Sequence, residues 1–207
     1  MGDTVFIIDD DISIRRSLSF LLNAYDYHVE AFSSAEEFRD TYNGTGCIIL
    51  DINLEGKSGL ELQDELLTLD LHLPIIFITS KGNVHLSVQT IRKGAVNFLE
   101  KPFREEELLN SISEAFMLSH ETKKERDKAR SAKSLIEMLT PRETEILKYI
   151  ITGMLNKQTA AALNITEHTV QLHKLSICNK LSVKSIPEMI KIASNAGLIP
   201  FNHNISL

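Results

Sequence analysis

The sequence Thr4-Val-Phe-Ile-Ile-Asp-Asp-Asp11 decides the fold of the first half of the chain, because an apolar run of strand length ends on three carboxylates. Apolar runs without alternation are typical of strands that are buried on both faces of a parallel sheet. Stretches with leucines at helical spacing separate this run from the next ones. We therefore predict a doubly wound α/β domain with a five-stranded parallel sheet. The four further strands are predicted at His28-Val-Glu-Ala-Phe32, Cys47-Ile-Ile-Leu50, Pro74-Ile-Ile-Phe-Ile78 and Ala95-Val-Asn-Phe-Leu99.

The chain changes character at Thr140, after which only helical patterns occur before the tail. Thr140-Pro-Arg-Glu143 has the sequence of a capping box with Pro at the first helical position, and Gly153 is a stop signal. A small all-α domain is therefore predicted for the second half. Its helices are predicted over Pro141 to Thr152, Asn156 to Leu163, Thr166 to Leu181 and Ser185 to Ala196.

These patterns divide the chain into three parts: a first domain over residues 1–120, a charged helical linker over 121–138 and a second domain over 139–207. Residues 121–133 are almost all charged or small and contain neither Gly nor Pro. Such a composition suits an extension of the preceding helix into solvent, and it also suits a mobile linker. Both alternatives stay open at this point.

The two halves carry opposite net charge, which the overall value of −6 conceals. Residues 1–120 have 9 Lys and Arg against 20 Asp and Glu, a net charge of −11, whereas residues 121–207 have 13 against 8, a net charge of +5. A basic half predicts contact with nucleic acid. No apolar run reaches the ~20 residues of a membrane span, and no basic leader precedes the first strand, so we expect a cytoplasmic protein without membrane contact. Cys47 and Cys178 are too few for a disulfide framework or a zinc site and are expected to be inert thiols.

Polar side chains follow the strands of the predicted sheet. In a doubly wound sheet, ligands bind beyond the carboxyl ends of the strands, where the strand order reverses. Several carboxylates at short range need a cation, and their hard oxygens suit Mg²⁺. A metal beside a carboxylate nucleophile, with Lys and Thr to hold oxygens, predicts phosphoryl transfer. The residues in question are Asp9, Asp10 and Asp11 after the first strand, Asp51 after the third, Thr79 and Ser80 after the fourth, and Lys101 and Pro102 after the fifth.

Four motifs of the first half resemble those of receiver domains of two-component systems, which have a flavodoxin-like fold. They occur in order at strand ends, and the likeness spans roughly residues 3 to 120. The sequence departs from the usual pattern at Glu55, where the family generally has Pro, and at Lys81, a position that affects water access. The motifs are Val5-Phe-Ile-Ile-Asp-Asp-Asp11, Leu50-Asp-Ile-Asn-Leu-Glu-Gly-Lys-Ser-Gly59, Phe77-Ile-Thr-Ser80 and Asn97-Phe-Leu-Glu-Lys-Pro-Phe103.

This resemblance implies specific roles for the residues at the strand ends. Asp51 is the implied phosphoacceptor. A Mg²⁺ ion is held by Asp10, Asp51 and the backbone carbonyl of Asn53, with Asp9 assisting through water. The resemblance also implies that Thr79 and Lys101 bind the phosphoryl group, that Phe98 turns inward as the switch aromatic, and that the Lys101-Pro102 bond is cis.

An enzyme of another class is the alternative interpretation of Asp51. Phosphatases of the haloacid-dehalogenase type also place an Asp after an apolar strand, with a second acid two residues later. Here that second position is Asn53, and an amide cannot act as a general acid or base. The Gly-Thr pair expected soon after is also absent.

Four motifs of the second half resemble those of the LuxR/NarL/FixJ class of helix-turn-helix domains, and the whole chain is similar to the FixJ-like subgroup. The resemblance implies a phosphorylation-controlled transcriptional regulator, not an enzyme, with slow self-dephosphorylation as its only reaction. Its implied partners are a histidine kinase, double-stranded DNA, a second copy of the chain after phosphorylation, and RNA polymerase. A small helical dimerisation domain is the alternative. The motifs are Leu139-Thr-Pro-Arg-Glu-Thr-Glu-Ile-Leu147, Gly153-Met-Leu-Asn-Lys157, Ala161-Ala-Leu-Asn-Ile-Thr166 and Thr169-Val-Gln-Leu-His173.

The predicted helix from Thr166 to Leu181 corresponds to the helix that such motifs place in the major groove. Helical angles put Val170, Ile177 and Leu181 on a core stripe. We expect DNA contacts from the opposite face and from neighbouring cations and hydroxyls, with Gln171 suited to adenine. The leucines of that face suit either thymine methyls or a partner subunit, and the family commonly has Lys or Arg near positions 171 and 175. The candidates for base contact are His168, Gln171, Leu172, Leu175 and Asn179, and those for phosphate contact are Lys157, Thr166, Thr169, Lys174, Lys180, Lys184 and Ser185.

Overall fold

The computed structural model describes residues 4–41, 45–69, 71–80 and 84–198. The chain divides into two compact units, residues 1–123 and 124–207. Lys81 and the tail from residue 199 lie outside the described residues. The limits predicted for the two domains and the linker stay predictions.

Unit 1 is a parallel sheet of five strands with helices between them. The strand order is β2-β1-β3-β4-β5. This is the order of flavodoxin-like folds, so the predicted fold class is confirmed. β5 begins two residues later than predicted, because the turn after α4 reaches Gly94 (φ +95°) and is closed by the bond from the Ala95 amide to the Thr90 carbonyl. The elements are β1 (Thr4–Ile8), α1 (Ile12–Ala24), β2 (His28–Phe32), α2 (Ala35–Thr41), β3 (Gly46–Asp51), α3 (Gly59–Thr68), β4 (Ile75–Thr79), α4 (Val84–Arg92) and β5 (Asn97–Glu100).

Both faces of this sheet are covered by apolar side chains. Alternate residues of the central strands point to opposite faces, so Phe6 and Ile8 pack with α2 and α3 while Val5 and Ile7 pack with α1 and the helix that follows β5. All five residues of β1 are buried. This arrangement confirms the inference that an unbroken apolar run marks a strand covered on two sides.

A 33-residue helix, α5 (Glu105–Glu137), follows β5, and the boundary between the units falls within it. Its apolar residues Leu108, Ile112 and Ala115 belong to the core of unit 1. Of the two alternatives for residues 121–133, the structure has the helix. Among the described residues, no helix has the length and apolar character needed to cross a bilayer.

In its described part, unit 2 contains the end of α5 and four shorter helices, whose bounds agree with the predicted ones to within a residue. The capping box is present: the Thr140 hydroxyl accepts from the backbone of Glu143, whose carboxylate accepts from the backbone of Thr140. Gly153, at φ +82°, ends the first of these helices. Ile146, Ile177 and Met189 lie in the common core. The helices are α6 (Pro141–Ile151), α7 (Asn156–Leu163), α8 (Glu167–Leu181) and α9 (Ile186–Asn195).

Candidate phosphoacceptor site and DNA-binding surface

Three carboxylates meet at the carboxyl ends of β1 and β3. Asp9 and Asp10 directly follow β1, and Asp51 is the last residue of β3. β1 lies between β2 and β3, so the strand order reverses at this point of the sheet. Oxygen atoms of all three side chains lie within 4.8 Å of one another. Asp9 and Asp51 are buried and Asp10 is exposed. The structure thus brings together residues that the sequence separates by about forty positions.

Lys101 provides the positive charge at this cluster. Its Nζ donates to Asp9 Oδ2 at 2.7 Å and to Asp51 Oδ2 at 3.1 Å. Burial raises the pKa of Asp9, and the bond from Lys101 offsets this only in part. Burial by itself would lower the pKa of Lys101, but its bonds to Asp9 and Asp51 outweigh that effect and raise it. One ammonium is therefore shared by two carboxylates, and the cluster keeps a surplus of negative charge.

Backbone amides orient the carboxylates. Asp9 Oδ1 accepts from the amide of Asp11 at 2.9 Å, and Asp51 Oδ1 accepts from that of Asn53 at 3.2 Å. Asp10 Oδ2 accepts from the amide of Glu55 at 3.3 Å. These bonds join the segment after β1 to the segment after β3. The site is held in place by both loops.

Arg15 is a participant that the sequence reasoning missed. Its Nη1 donates to the backbone carbonyl of Asp9 at 2.5 Å, so a cation on α1 supports the loop after β1. An Arg one helical turn after an acidic run is common on exposed helices, and no sequence signal distinguished it. The contact is to the backbone of Asp9 and not to its carboxylate.

Thr79 and Phe98 lie on neighbouring strands beside the cluster. Thr79 is fully buried at the end of β4, and its Oγ1 accepts from Asn53 Nδ2 at 3.0 Å. Phe98 is half-buried and packs against the core on the α2 and α3 side of the sheet. The Lys101-Pro102 peptide is cis, as expected.

The donor set fits Mg²⁺. Three carboxylates offer hard oxygen ligands at short mutual distance, and a single ammonium neutralises only part of their charge. The exposed position of Asp10 leaves room for the water molecules that Mg²⁺ usually keeps.

Helix α8 has two clearly different faces. Val170, Ile177 and Leu181 are buried in the core of unit 2, which confirms the predicted core stripe. We call the opposite face the recognition strip, and all of its members are exposed, Leu172 by 54% and Leu175 by 61%. The strip consists of His168, Gln171, Leu172, Leu175 and Asn179.

Some of the cations and hydroxyls near the strip already have partners in unit 2. Lys174 donates to Asn156 Oδ1 at 3.1 Å, and Lys180 donates to Glu143 Oε2 at 2.7 Å. The hydroxyl of Thr166 caps α8 by accepting from the amide of Thr169, and their two hydroxyls share a bond of 2.8 Å. Lys157 and Lys184 are exposed, as phosphate contacts require.

Glu143 also makes contacts with α8 that the sequence reasoning missed. Besides capping α6, its buried carboxylate accepts from Lys180 and, through Oε1, from the hydroxyl of Ser176 at 2.7 Å. These bonds, that of Lys180 foremost, lower its pKa to about 2. The capping box alone accounts for an acidic residue at position 143. The sequence therefore carried no separate signal that Glu143 also binds α8.

The two cysteines lie in different units of the chain. Cys47 is buried in β3 and Cys178 is half-buried in α8. They are not joined by a disulfide.

Comparison with known families covers most of the chain. Residues 5–113 match the response regulator receiver domain, and residues 137–193 match the luxR family of bacterial regulatory proteins. Proteins with this pair of domains are the DNA-binding response regulators of two-component systems, and the chain belongs to this family. It is a transcriptional regulator, and the phosphatase alternative finds no support.

The relatives are similar over nearly their whole length. Nodulation protein W of Bradyrhizobium diazoefficiens is 39% identical over 201 residues, which are 96% of this chain and 88% of that protein. Transcriptional regulatory protein FixJ of the same organism is 31% identical over 197 residues, 94% of this chain and 96% of that one. The solved structure of the response regulator StyR has 36% identity and a TM-score of 0.81, covering 94% of this chain and 99% of that chain. The FixJ-like resemblance therefore extends through both domains.

Proposed function

We propose that transfer of a phosphoryl group from a histidine kinase to Asp51 controls the DNA binding of this regulator. The observation that carries the proposal is the position of Lys101 Nζ between Asp9 and Asp51, with the buried Thr79 hydroxyl at the neighbouring strand end. A nucleophilic carboxylate, a cation and a hydroxyl are thus gathered where a tetrahedral oxyanion group requires them.

In the proposed reaction, an oxygen of Asp51 attacks phosphorus while the bond from phosphorus to the imidazole nitrogen of the kinase breaks. The imidazole leaves and takes up a proton. Lys101 Nζ then binds one phosphoryl oxygen, and the Thr79 hydroxyl turns from Asn53 to donate to another. Asp10, Asp51, the Asn53 carbonyl and, through water, Asp9 would hold a Mg²⁺ ion, which would supply further positive charge.

Thr79 and Phe98 are proposed to transmit the phosphorylation of Asp51 to the surface of the receiver domain. When Thr79 moves toward the phosphoryl group, Phe98 turns into the space that it leaves, and the surface of β5 changes. Dimerisation of the phosphorylated protein follows in this proposal. The protein acts in the cytoplasm, and RNA polymerase is a further partner. Apart from accepting the phosphoryl group, its one proposed reaction is slow self-dephosphorylation.

The DNA contacts are proposed to come from α8 and its neighbours. The recognition strip lies in the major groove, where it contacts base edges. Lys157 and Lys184 contact phosphates, and such contacts position the domain without reading sequence. Four further residues contact a phosphate where it displaces their present hydrogen-bond partners: Lys174, Lys180, Thr166 and Thr169.

The test of the acceptor uses small-molecule phosphorylation. Wild type, Asp51→Asn and the matched control Asp64→Asn, which changes an exposed carboxylate of α3, are incubated with acetyl phosphate and Mg²⁺ and weighed intact. We expect wild type and the control to gain one phosphoryl group and Asp51→Asn to gain none. An equal gain in Asp51→Asn removes Asp51 from the role.

A further inference from the structure

We infer that the recognition strip of α8 reads A·T base pairs, with Leu172 and Leu175 packed against thymine methyl groups. This inference rests on the proposed function, because it takes α8 to lie in the major groove. It adds to that function which base pairs the helix selects.

The strip is narrow and lies directly opposite the core. At about 100° per residue, Leu172, Leu175 and Asn179 lie within about 40° of His168, and Gln171 about 60° from it. The core residues Val170, Ile177 and Leu181 lie about 180° to 220° away by the same measure. All five side chains of the strip therefore face the groove together when the core stripe faces the domain.

The strip contains neither Arg nor Lys, the side chains that most often bind guanine. The most common specific contact to guanine is a bidentate Arg or Lys, and α8 contains no Arg. Its two lysines, Lys174 and Lys180, lie about 120° to either side of the strip, and both are bound within unit 2. The positive charge is at the edges of the helix, near the phosphate walls of a groove, and not at its floor.

The two leucines lie side by side on the exposed face and gain stability from an apolar partner. Exposed apolar side chains lose unfavourable contact with water when they meet apolar atoms. On the floor of the major groove, the thymine methyl is the apolar group that a side chain meets. Leu172 and Leu175 are separated by less than one turn, so they contact adjacent positions.

The amides of the strip suit adenine, which is the partner of thymine in an A·T pair. Gln and Asn side chains bind N6 and N7 of adenine bidentately, and each thymine methyl is paired with an adenine. Gln171 and Asn179 therefore reinforce what Leu172 and Leu175 select. The occupant that fits this combination of two amides and two leucines is a run of A·T pairs.

The experiment begins with the full-length protein, treated with acetyl phosphate and Mg²⁺, selecting sites from random duplex DNA. We expect A·T pairs at the positions under α8. Duplexes are then made with uracil in place of each thymine, which removes only the methyl group. Each contacted methyl should lower affinity by about 3- to 5-fold when removed.

Variants assign the effect to the leucines. Leu172→Ala and Leu175→Ala should each reduce the ratio of affinities for thymine and uracil DNA toward one at its own position. Met138→Ala changes an exposed apolar residue of the same unit outside α8 and should leave the ratio unchanged. Since the uracil comparison also works with wild type alone, it does not depend on the folding of any variant.

The outcomes separate this inference from the proposed function. Absence of all DNA binding contradicts the proposed function. Binding to G·C-rich sites, or affinity that ignores uracil, leaves the function standing and overturns the A·T inference. A loss of dimerisation in the leucine variants, with an unchanged thymine-to-uracil ratio, identifies the leucines as a subunit contact and also overturns it.

Discussion

Glu143 links the start of α6 to α8 by the bonds of a single carboxylate. Its partners are the Thr140 amide, Ser176 on α8 and Lys180 on α8. The side chain is 6% exposed and that of Lys180 34%, so the ion pair is buried at one end only. A buried carboxylate that loses its charge leaves its donors unsatisfied, which costs more than an exposed pair contributes.

We expect Glu143→Gln to lower the free energy of unfolding by about 2 kcal/mol, less than the loss of a fully buried ion pair because Lys180 is partly solvated. The matched control is Glu145→Gln, which breaks the exposed pair with Arg142 and should cost less than about 1 kcal/mol. Urea unfolding of both variants measures the difference. Equal small losses would mean that the carboxylate of Glu143 does not hold α8.

The same residue predicts a dependence on pH. The folded-state pKa of Glu143 is about 2, below its ordinary value of 4.5, so its contribution is full above about pH 4.5 and is lost as pH falls toward 2. The stability difference between wild type and Glu143→Gln should therefore shrink across this acidic range. A gap that stays constant down to pH 2.5 would contradict the assigned pKa.

β1 is the central element of the site, because the strands on either side of it determine which residues lie beside Asp9. The register pairs Ile8 with Leu50 on β3, which places the acidic residues after β1 beside Asp51. β4 follows β3, and β5 follows β4, so Thr79 and Lys101 reach the same edge. Parallel strands make this possible because all their carboxyl ends lie on one side.

At the N-terminal end of α7, Lys157 is predicted to contact phosphate without reading sequence. Lys157→Ala should weaken binding to all DNA sequences alike and flatten the slope of log affinity against log salt by about one. Affinity for a selected site and for random DNA at three salt concentrations checks this. Lys191→Ala removes an exposed lysine of α9 and is the control for net charge. A change in base preference in Lys157→Ala would assign it to the base edges instead.

The charge of the whole molecule is split between its two units. Unit 1 has 10 Lys and Arg against 21 Asp and Glu, a net charge of −11, and unit 2 has 12 against 7, a net charge of +5. An acidic domain tethered to a basic one opposes the approach of DNA phosphates. Repulsion is screened over roughly 8 Å at physiological salt, so it acts only at short range.

We therefore predict that the unphosphorylated receiver restrains DNA binding. Residues 124–207 alone should bind an operator more tightly than the unphosphorylated full-length protein, and the difference should be larger at low salt. Titrations of both at two salt concentrations measure it. If the intact protein binds at least as tightly at both salts, the receiver is no inhibitor, and phosphorylation acts by building the dimer.

The sequence by itself determined the two folds, the strand ends that carry Asp51 and Lys101, and the exposed face of α8. Each of these depends on local periodicity or capping, which a few consecutive residues specify. Only the tertiary structure decided that Lys101 is shared by Asp9 and Asp51, that Asn53 holds Thr79, and that Glu143 binds Lys180. These contacts join residues 26 to 92 positions apart, and they exist because strand order and helix packing, which no local pattern encodes, bring their atoms within bonding distance.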